Sequence, residues 1–372
     1  MCRGSQRATL TCIGGKSMTT INRNSPVMVT GATGYIAGWI VKKLLDEGFV
    51  VHAAVRDPGD QEKLKYLNRL QEHAPGKIRF FKSDLLDEGS YAEAMEGCEL
   101  VFHTASPFKV NVRDPLRELI EPARLGTRNV LEQANRTPSV RRVVLTSSVA
   151  AMYGDNADVK NAPNGVITEK VWNTSSSLDH QPYPYSKTVA EKEAWEIHGR
   201  QHRWDLVVIN PSMVIGPGIS PVSTSESYNL IKLYGDGTMK IGVSRWGMGV
   251  VDVRDLAEAH FRAGFTPEAN GRYIVSGHNS DFMEMASALL PEFGNDYPVP
   301  RRALPKWLVW LFFPIIVRST TRKMIARNAD IPWTGDNSRG VRELGLSYRP
   351  LRVSMVDHFQ QLIDHGHVRK SK

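Results

Sequence analysis

A chain of 372 residues, 41% of them hydrophobic, can bury one large α/β core or a core with a smaller lobe attached, which excludes disordered and fibrous classes. The net charge is +8, but Lys and Arg are spread along the chain with no basic run interleaved with aromatics; this argues for a solvated basic surface and against a nucleic-acid partner. Cys2, Cys12 and Cys98 have neither metal nor redox spacing and cannot build a disulfide framework, so no metal is expected and a reducing, cytoplasmic setting fits.

Met1–Ser25 carries Arg3, Arg7, Lys16 and Arg23, several Ser and Thr, and no acidic residue. It lacks the continuous apolar core of a secretory signal and reads as a flexible extension outside the fold, with Met18 as an internal start; a basic, Ser-rich organelle transit peptide is the alternative. Next comes an apolar strand, Val27–Thr30, then Gly31, Gly34 and Ala37. Ile36, Ile40, Val41, Leu44 and Leu45 follow at helical spacing up to Gly48, and a second strand, Phe49–Val55, completes a β-α-β unit. Glycines at such a strand-to-helix turn let a pyrophosphate approach the backbone and rest on the helix N-terminus. The Gly-x-x-Gly-x-x-Ala spacing resembles the extended branch of the short-chain dehydrogenase/reductase family.

Arg56-Asp57-Pro58-Gly59 makes a turn, Lys63–His73 a polar helix and Ile78–Lys82 a third strand ending at Ser83-Asp84-Leu85. By the family resemblance Asp84 faces an adenine ring; as a residue it reads equally well as a helix N-cap. Leu100–Thr104 is a fourth strand followed by Ala105-Ser106-Pro107, at the carboxyl edge where open α/β sheets bind ligands. His103, without a partner in view, is assigned to the lining of the cofactor cleft. Pro115–Ala134 is a helix, Arg142–Ser147 a fifth strand, Asn156–Gln181 a long loop, Tyr183–Arg200 a helix, Asp205–Asn210 a sixth strand and Pro211–Ser227 a loop. The alternation predicts a doubly wound parallel sheet of the Rossmann type over residues 26–218. Residues 219–372 are expected to form mainly a smaller substrate lobe, with short segments returning to the sheet; Val250–Val253 and Tyr273–Ser276 read as strands, and Asp255–Gly264, Phe282–Leu290 and Ser338–Leu344 as helices. Trp307–Val317 is apolar and interrupted by Pro314. It is too short for a bilayer, which needs roughly 20 residues; a core helix or a lid over an apolar pocket is expected, with contact at a membrane surface as the alternative.

Tyr183 and Lys187, four apart, share one helix face, so the ammonium can act on the phenol. A free phenol titrates near pH ~10 and a neighbouring cation is expected to lower that value. Thr146-Ser147-Ser148 stands at a strand end upstream. Together Val29-Thr-Gly-Ala-Thr-Gly-Tyr-Ile-Ala, Thr146-Ser-Ser, Tyr183-Pro-Tyr-Ser-Lys-Thr-Val-Ala-Glu-Lys and Asn210-Pro-Ser-Met-Val-Ile-Gly-Pro resemble the dihydroflavonol reductase and yeast methylglyoxal reductase subgroup. The likeness is good from Val27 to about Gly218 and looser to about Asp364.

That resemblance implies a catalytic triad of Ser148, Tyr183 and Lys187, with Ser147 and Tyr185 as the competing positions. It implies hydride transfer to a carbonyl, Tyr183 donating the proton, Ser148 bonding the same oxygen, and Lys187 holding the nicotinamide ribose. Motif and resemblance together give the cofactor-binding set Gly31, Thr33, Gly34, Tyr35, Ile36, Arg56, Lys63, Asp84, Leu85, Thr104, Ala105, Ser106 and Pro211. Arg56, at the end of the second strand, accommodates a 2′-phosphate and favours NADPH; the adjacent Asp57 keeps NADH as the lesser choice. Tyr153 replaces the Asn of the plant flavonoid enzymes and the cinnamoyl-CoA reductase signature is absent around Tyr183, so the substrate reading stops at an aldehyde or ketone with an apolar body. The alternatives are an NAD-retaining sugar-nucleotide epimerase and a membrane-associated 3β-hydroxysteroid-type dehydrogenase. The expected partner is a small-molecule carbonyl compound, and the expected state a monomer or homodimer.

Overall fold

The structure is a computed structural model and describes residues 18–106, 112–220, 225–316 and 320–370. Val27–Thr30 (β1) is buried throughout and leads into Tyr35–Asp46 (α1), which buries Ile40, Val41, Leu44 and Leu45 on one face. Val50–Val55 (β2), Gln61–Glu72 (α2), Lys77–Lys82 (β3), Ala92–Met95 (α3) and Leu100–His103 (β4) follow. A π turn, Leu116–Ile120, feeds Glu121–Arg136 (α4); Arg142–Thr146 (β5), Pro182–His198 (α5) and Asp205–Pro211 (β6) come next. The second part comprises Met213–Ile215 (β7), Glu226–Leu233 (α6), Gly247–Asp252 (β8), Val253–Phe265 (α7), Gly271–Val275 (β9), His278–Asp281 (β10) and Phe282–Phe293 (α8). Lys306–Ile316 (α9), Arg322–Asn328 (α10), Ser338–Leu344 (α11) and Leu351–Asp364 (α12) complete it.

Seven parallel strands form the main sheet in the order β3-β2-β1-β4-β5-β6-β9. Its central strands are continuous apolar runs because helices cover both faces. The winding reverses at β1, which pairs with β2 on one side and β4 on the other. Such a switch point is where open α/β sheets bind ligands, beyond the carboxyl ends of the strands. A smaller sheet, β10-β8-β7, packs with α6, α8 and α12 around Tyr234, Met285, Leu289 and Phe359. Although β9 lies late in the chain, it pairs with β6, with Tyr273 beside Ile209.

Several expectations change. Pro211–Ser227 is not loop throughout: β7 lies within it, recognisable only through its pairing of Val214 with Val251. The stretch Asn156–Gln181 contains the 3-10 turns Asn156–Asn161 and Pro163–Gly165, and its Val159 and Ile167 pack against Ile274 and Trp333. The apolar helix is not a core helix, since α9 buries Val309 but exposes Trp307, Leu311 and Ile315; Val317 lies outside the described residues. No helix among the described residues is long and apolar enough to cross a membrane.

Residues 1–17 of the N-terminal extension, and the transit-peptide reading placed on them, lie outside the described residues. Thr19–Ser25, however, pack on the fold. The Thr19 amide donates to the Pro267 carbonyl (3.2 Å) and its hydroxyl to Asp205; the Asn22 amide donates to Glu99 (2.9 Å); and Arg23 lies over the Phe49 ring at 4.7 Å. Ile21 is buried in the core with Val27 and Phe49, a long-range packing that a polar, basic sequence does not announce. Ile21→Ala is expected to cost about 2 kcal/mol, read as a lower urea midpoint at unchanged slope; an unchanged midpoint would show that the segment is not packed in solution.

Candidate active site

The turn after β1 is built for close approach of a ligand to backbone. Gly31 has φ +61°, and a Cβ there would lie 3.1 Å from the Ala105 Cβ, so a side chain would be strained and crowded at once. Gly34 donates its amide to the Gly31 carbonyl (2.8 Å) and stands at the N-cap of α1 without a side-chain cap, while the first turn of α1 holds no acidic residue. Those uncapped amides suit an anion. Ala37 is buried where the helix meets the sheet. Thr33 lies in the turn and is exposed; Ile36 packs on the core. The Tyr35 hydroxyl donates to the Gly216 carbonyl (2.6 Å), so this side chain ties the turn to the second lobe.

Thr30, which sequence reasoning passed over, fixes the facing loop. Its hydroxyl accepts from the Thr104 and Ala105 amides, both at 3.0 Å, and meets His103 Nδ1 at 3.0 Å; Thr104 Oγ1 returns a bond to the Thr30 carbonyl (2.5 Å). A lone hydroxyl ending an apolar strand was the available signal. His103 does not line the cleft as expected: it is buried, and burial together with the Lys187 charge pushes its pKa down to about 3, so it stays neutral.

Arg56 and Asp57 are both exposed at the end of β2. Asp57 closes its own turn, accepting from the Gly59 amide (2.8 Å). Val55 pairs with Lys82 and the Ser83 amide donates to the Val55 carbonyl (2.8 Å), so Arg56 and Asp84 follow the adjacent ends of β2 and β3. Asp84 accepts from the Leu86 amide (2.9 Å), capping a turn rather than a helix. Leu85 packs on Gly126, and its carbonyl accepts from Asn129 (2.8 Å). Lys63 reaches Asp60, the N-cap of α2, at 2.7 Å. At the end of β6, beside Pro211, the buried Asn210 Oδ1 and Ser212 Oγ have no partner among the described residues. Together with the glycine cradle, these atoms fit a dinucleotide lying across the sheet edge.

Ser148 follows β5, and its hydroxyl accepts from the Ala150 amide (3.1 Å) while also bonding the Tyr183 phenol. Ser147 is committed elsewhere, donating to Glu191 at 2.5 Å. Lys187 is buried, donates to Ser106 Oγ (3.0 Å) and stands 5.9 Å from the centre of the Tyr183 ring. The expected lowering of the phenol pKa is reversed. Burial pushes Tyr183 up to about 12, only partly offset by Ser148, and the same burial brings Lys187 down to about 8 against the charge of Glu191. Desolvation outweighs the Ser148 hydrogen bond, the opposing influence on the phenol. Tyr183 is therefore a neutral acid at physiological pH.

Two supports escaped the sequence reading. Glu191, four residues past Lys187 on the same helix, is buried and joins Arg272 (2.6 Å), Ser147 and Asn210 (2.8 Å); Asn210 also donates to the Ser148 carbonyl (3.1 Å). The i+4 spacing was the signal. Gln181, at the start of α5, adopts φ +57°, a costly conformation for a side-chain-bearing residue. Its amide group donates to buried Asp155 (3.0 Å), which also takes His180, Arg327 and Asn328 at 2.7, 2.6 and 2.7 Å. This hub fixes the backbone two residues before Tyr183.

Because Lys187 titrates near 8, its charge is present below that pH and lost above it. The kcat/KM profile is expected to fall on the alkaline side near pH 8, and Glu191→Gln should move that limb to lower pH by removing the charge that holds the proton on. Identical limbs in both proteins would exclude this coupling.

A model of the NAD dependent epimerase/dehydratase family matches residues 27–275. Cinnamoyl-CoA reductase CAD2 of Medicago truncatula is 34% identical over 93% of this chain and 98% of its own. Tetraketide alpha-pyrone reductase 1 of Arabidopsis thaliana is 37% identical over 92% and 96%. Among solved structures, yeast methylglyoxal/isovaleraldehyde reductase Gre2 complexed with NADPH superposes with a TM-score of 0.73 at 26% identity, covering 92% of this chain and 100% of that one.

Proposed function

The chain belongs to the NAD dependent epimerase/dehydratase family, and on that premise we propose that it reduces aldehydes or ketones with an apolar body, using NADPH. It is an NAD(P)-dependent oxidoreductase, as its reductase relatives and the NADPH complex of a structural neighbour support. One observation carries the reading: a neutral, half-buried Tyr183 hydrogen-bonded to Ser148, with buried Lys187 one turn further along α5.

The turn from Gly31 to Ile36 would hold the pyrophosphate and Arg56 the 2′-phosphate, while Thr104, Ala105, Ser106 and Pro211 would border the crevice. NADPH, when bound, supplies the hydride. Ser148 then fixes the carbonyl oxygen beside Tyr183 Oη, and Tyr183 gives its proton to that oxygen as negative charge develops there, a contribution of roughly 10²–10⁴-fold. Lys187 would hold the nicotinamide ribose while keeping positive charge beside the Tyr183 ring. The test is a panel of aldehydes and ketones scored by NADPH consumption. Turnover of apolar members supports the reading; no turnover, with NAD copurifying tightly, would replace it with an epimerase.

A further inference from the structure

We infer that α9 is a docking surface for an anionic lipid bilayer. The helix has two opposite faces. Val309 and Phe313, four apart, turn inward against Ile325, Ala329, Trp246 and Leu304. On the other side, Trp307, Leu311 and Ile315 stand in line and are 65%, 41% and 73% exposed, flanked by Trp310 and Phe312 at 41% and 48%. Past Lys306 the helix has no polar residue, so this outward face is wholly apolar, and five large side chains in water on one short helix call for a cover.

Charge selects the cover. No Asp or Glu occurs between Asp296 and Asp330, whereas Arg301, Arg302, Lys306, Arg322 and Lys323 flank the helix in the sequence. Arg322 lies 4.8 Å over the Trp310 ring, joining the cationic rim to the apolar face. Lys306 fastens the helix to the end of α10 through the Ala326 and Ala329 carbonyls at 2.9 and 2.8 Å. Trp beside Arg and Lys around an apolar patch suits the interface of a bilayer, where indole rings sit at headgroup level and cations meet acidic lipids. A second copy of the chain fits poorly, because it would present to this face the same acid-free, cationic stretch. Residues 1–17, with Arg3, Arg7, Lys16 and no acid, carry the wrong charge as well. α10 also bonds, through Arg327 and Asn328, the buried Asp155 hub that supports the start of α5, so docking would set the helix carrying Tyr183 one packed element from the lipid surface.

Cosedimentation of the full chain with phosphatidylcholine vesicles, with and without phosphatidylglycerol, tests this. Binding should be roughly tenfold or more stronger on the anionic vesicles and weaken with salt. It should be lost in Trp307→Glu/Ile315→Glu and reduced in the uncharged Trp307→Ser/Ile315→Ser, with melting temperatures unchanged because both positions are exposed. Three results would each overturn the inference: no binding, anionic binding that persists in both double variants, or light scattering that shows a dimer dissociated by them. None bears on the reductase reading, which the carbonyl panel tests separately.

Discussion

Tyr183→Phe is expected to reduce kcat by roughly 10²–10⁴-fold on any carbonyl the wild type turns over, with NADPH affinity retained. The substitution keeps the ring that Lys187 faces and deletes only the hydroxyl that Ser148 bonds. Burial holds that hydroxyl neutral, with its pKa raised to about 12, so a competent acid disappears rather than a charge, and the loss should persist across neutral pH. Tyr185→Phe is the control. Tyr185 shares the helix but has no Lys four residues on, and its variant should stay within a few fold of wild type. Fluorescence titration of NADPH and steady-state kinetics on one substrate separate the two effects. A Tyr183→Phe protein that keeps most of its kcat would remove Tyr183 from the proton-donor role.

The second large effect concerns Arg56. Its guanidinium is exposed at the end of β2, whereas Asp57 beside it is engaged with the Gly59 amide. Arg56 is thus the group available to a 2′-phosphate. A hydrogen bond to a charged group is worth about 1.5–3 kcal/mol, so Arg56→Ala should weaken NADPH by roughly 10- to 150-fold, mainly through KM. NADH, with no phosphate to lose, should be little changed. Arg56→Asp should go further, because its carboxylate repels the phosphate and accepts from the 2′-hydroxyl of NADH. The measurement is kcat/KM for both cofactors in three proteins. Wild-type preference for NADH, or an unchanged ratio in Arg56→Asp, would transfer the ribose to Asp57 and favour the epimerase alternative.

What the sequence determined by itself is the local part. Val27–Thr30, the glycines at 31 and 34 and the helix after them are legible because strand, turn and helix each follow from neighbouring residues, and their order implies the parallel sheet. The shared face of Tyr183 and Lys187 follows from helix geometry alone. What the tertiary structure decided is whatever depends on burial or on partners far along the chain. The direction of the Tyr183 pKa is one case, since spacing shows a cation nearby but not the desolvation that outweighs it. The roles of the adjacent serines are another: Ser147 is drawn to Glu191 and leaves Ser148 to the phenol. Glu191 in turn needs Arg272 from β9, a strand separated from β6 in the chain by β7, α6, β8 and α7. Ile21 and β7 were hidden for the same reason. One apolar residue in a basic segment and a three-residue strand carry no periodicity, and each gains its place only from the surface it packs against or the strand it pairs with.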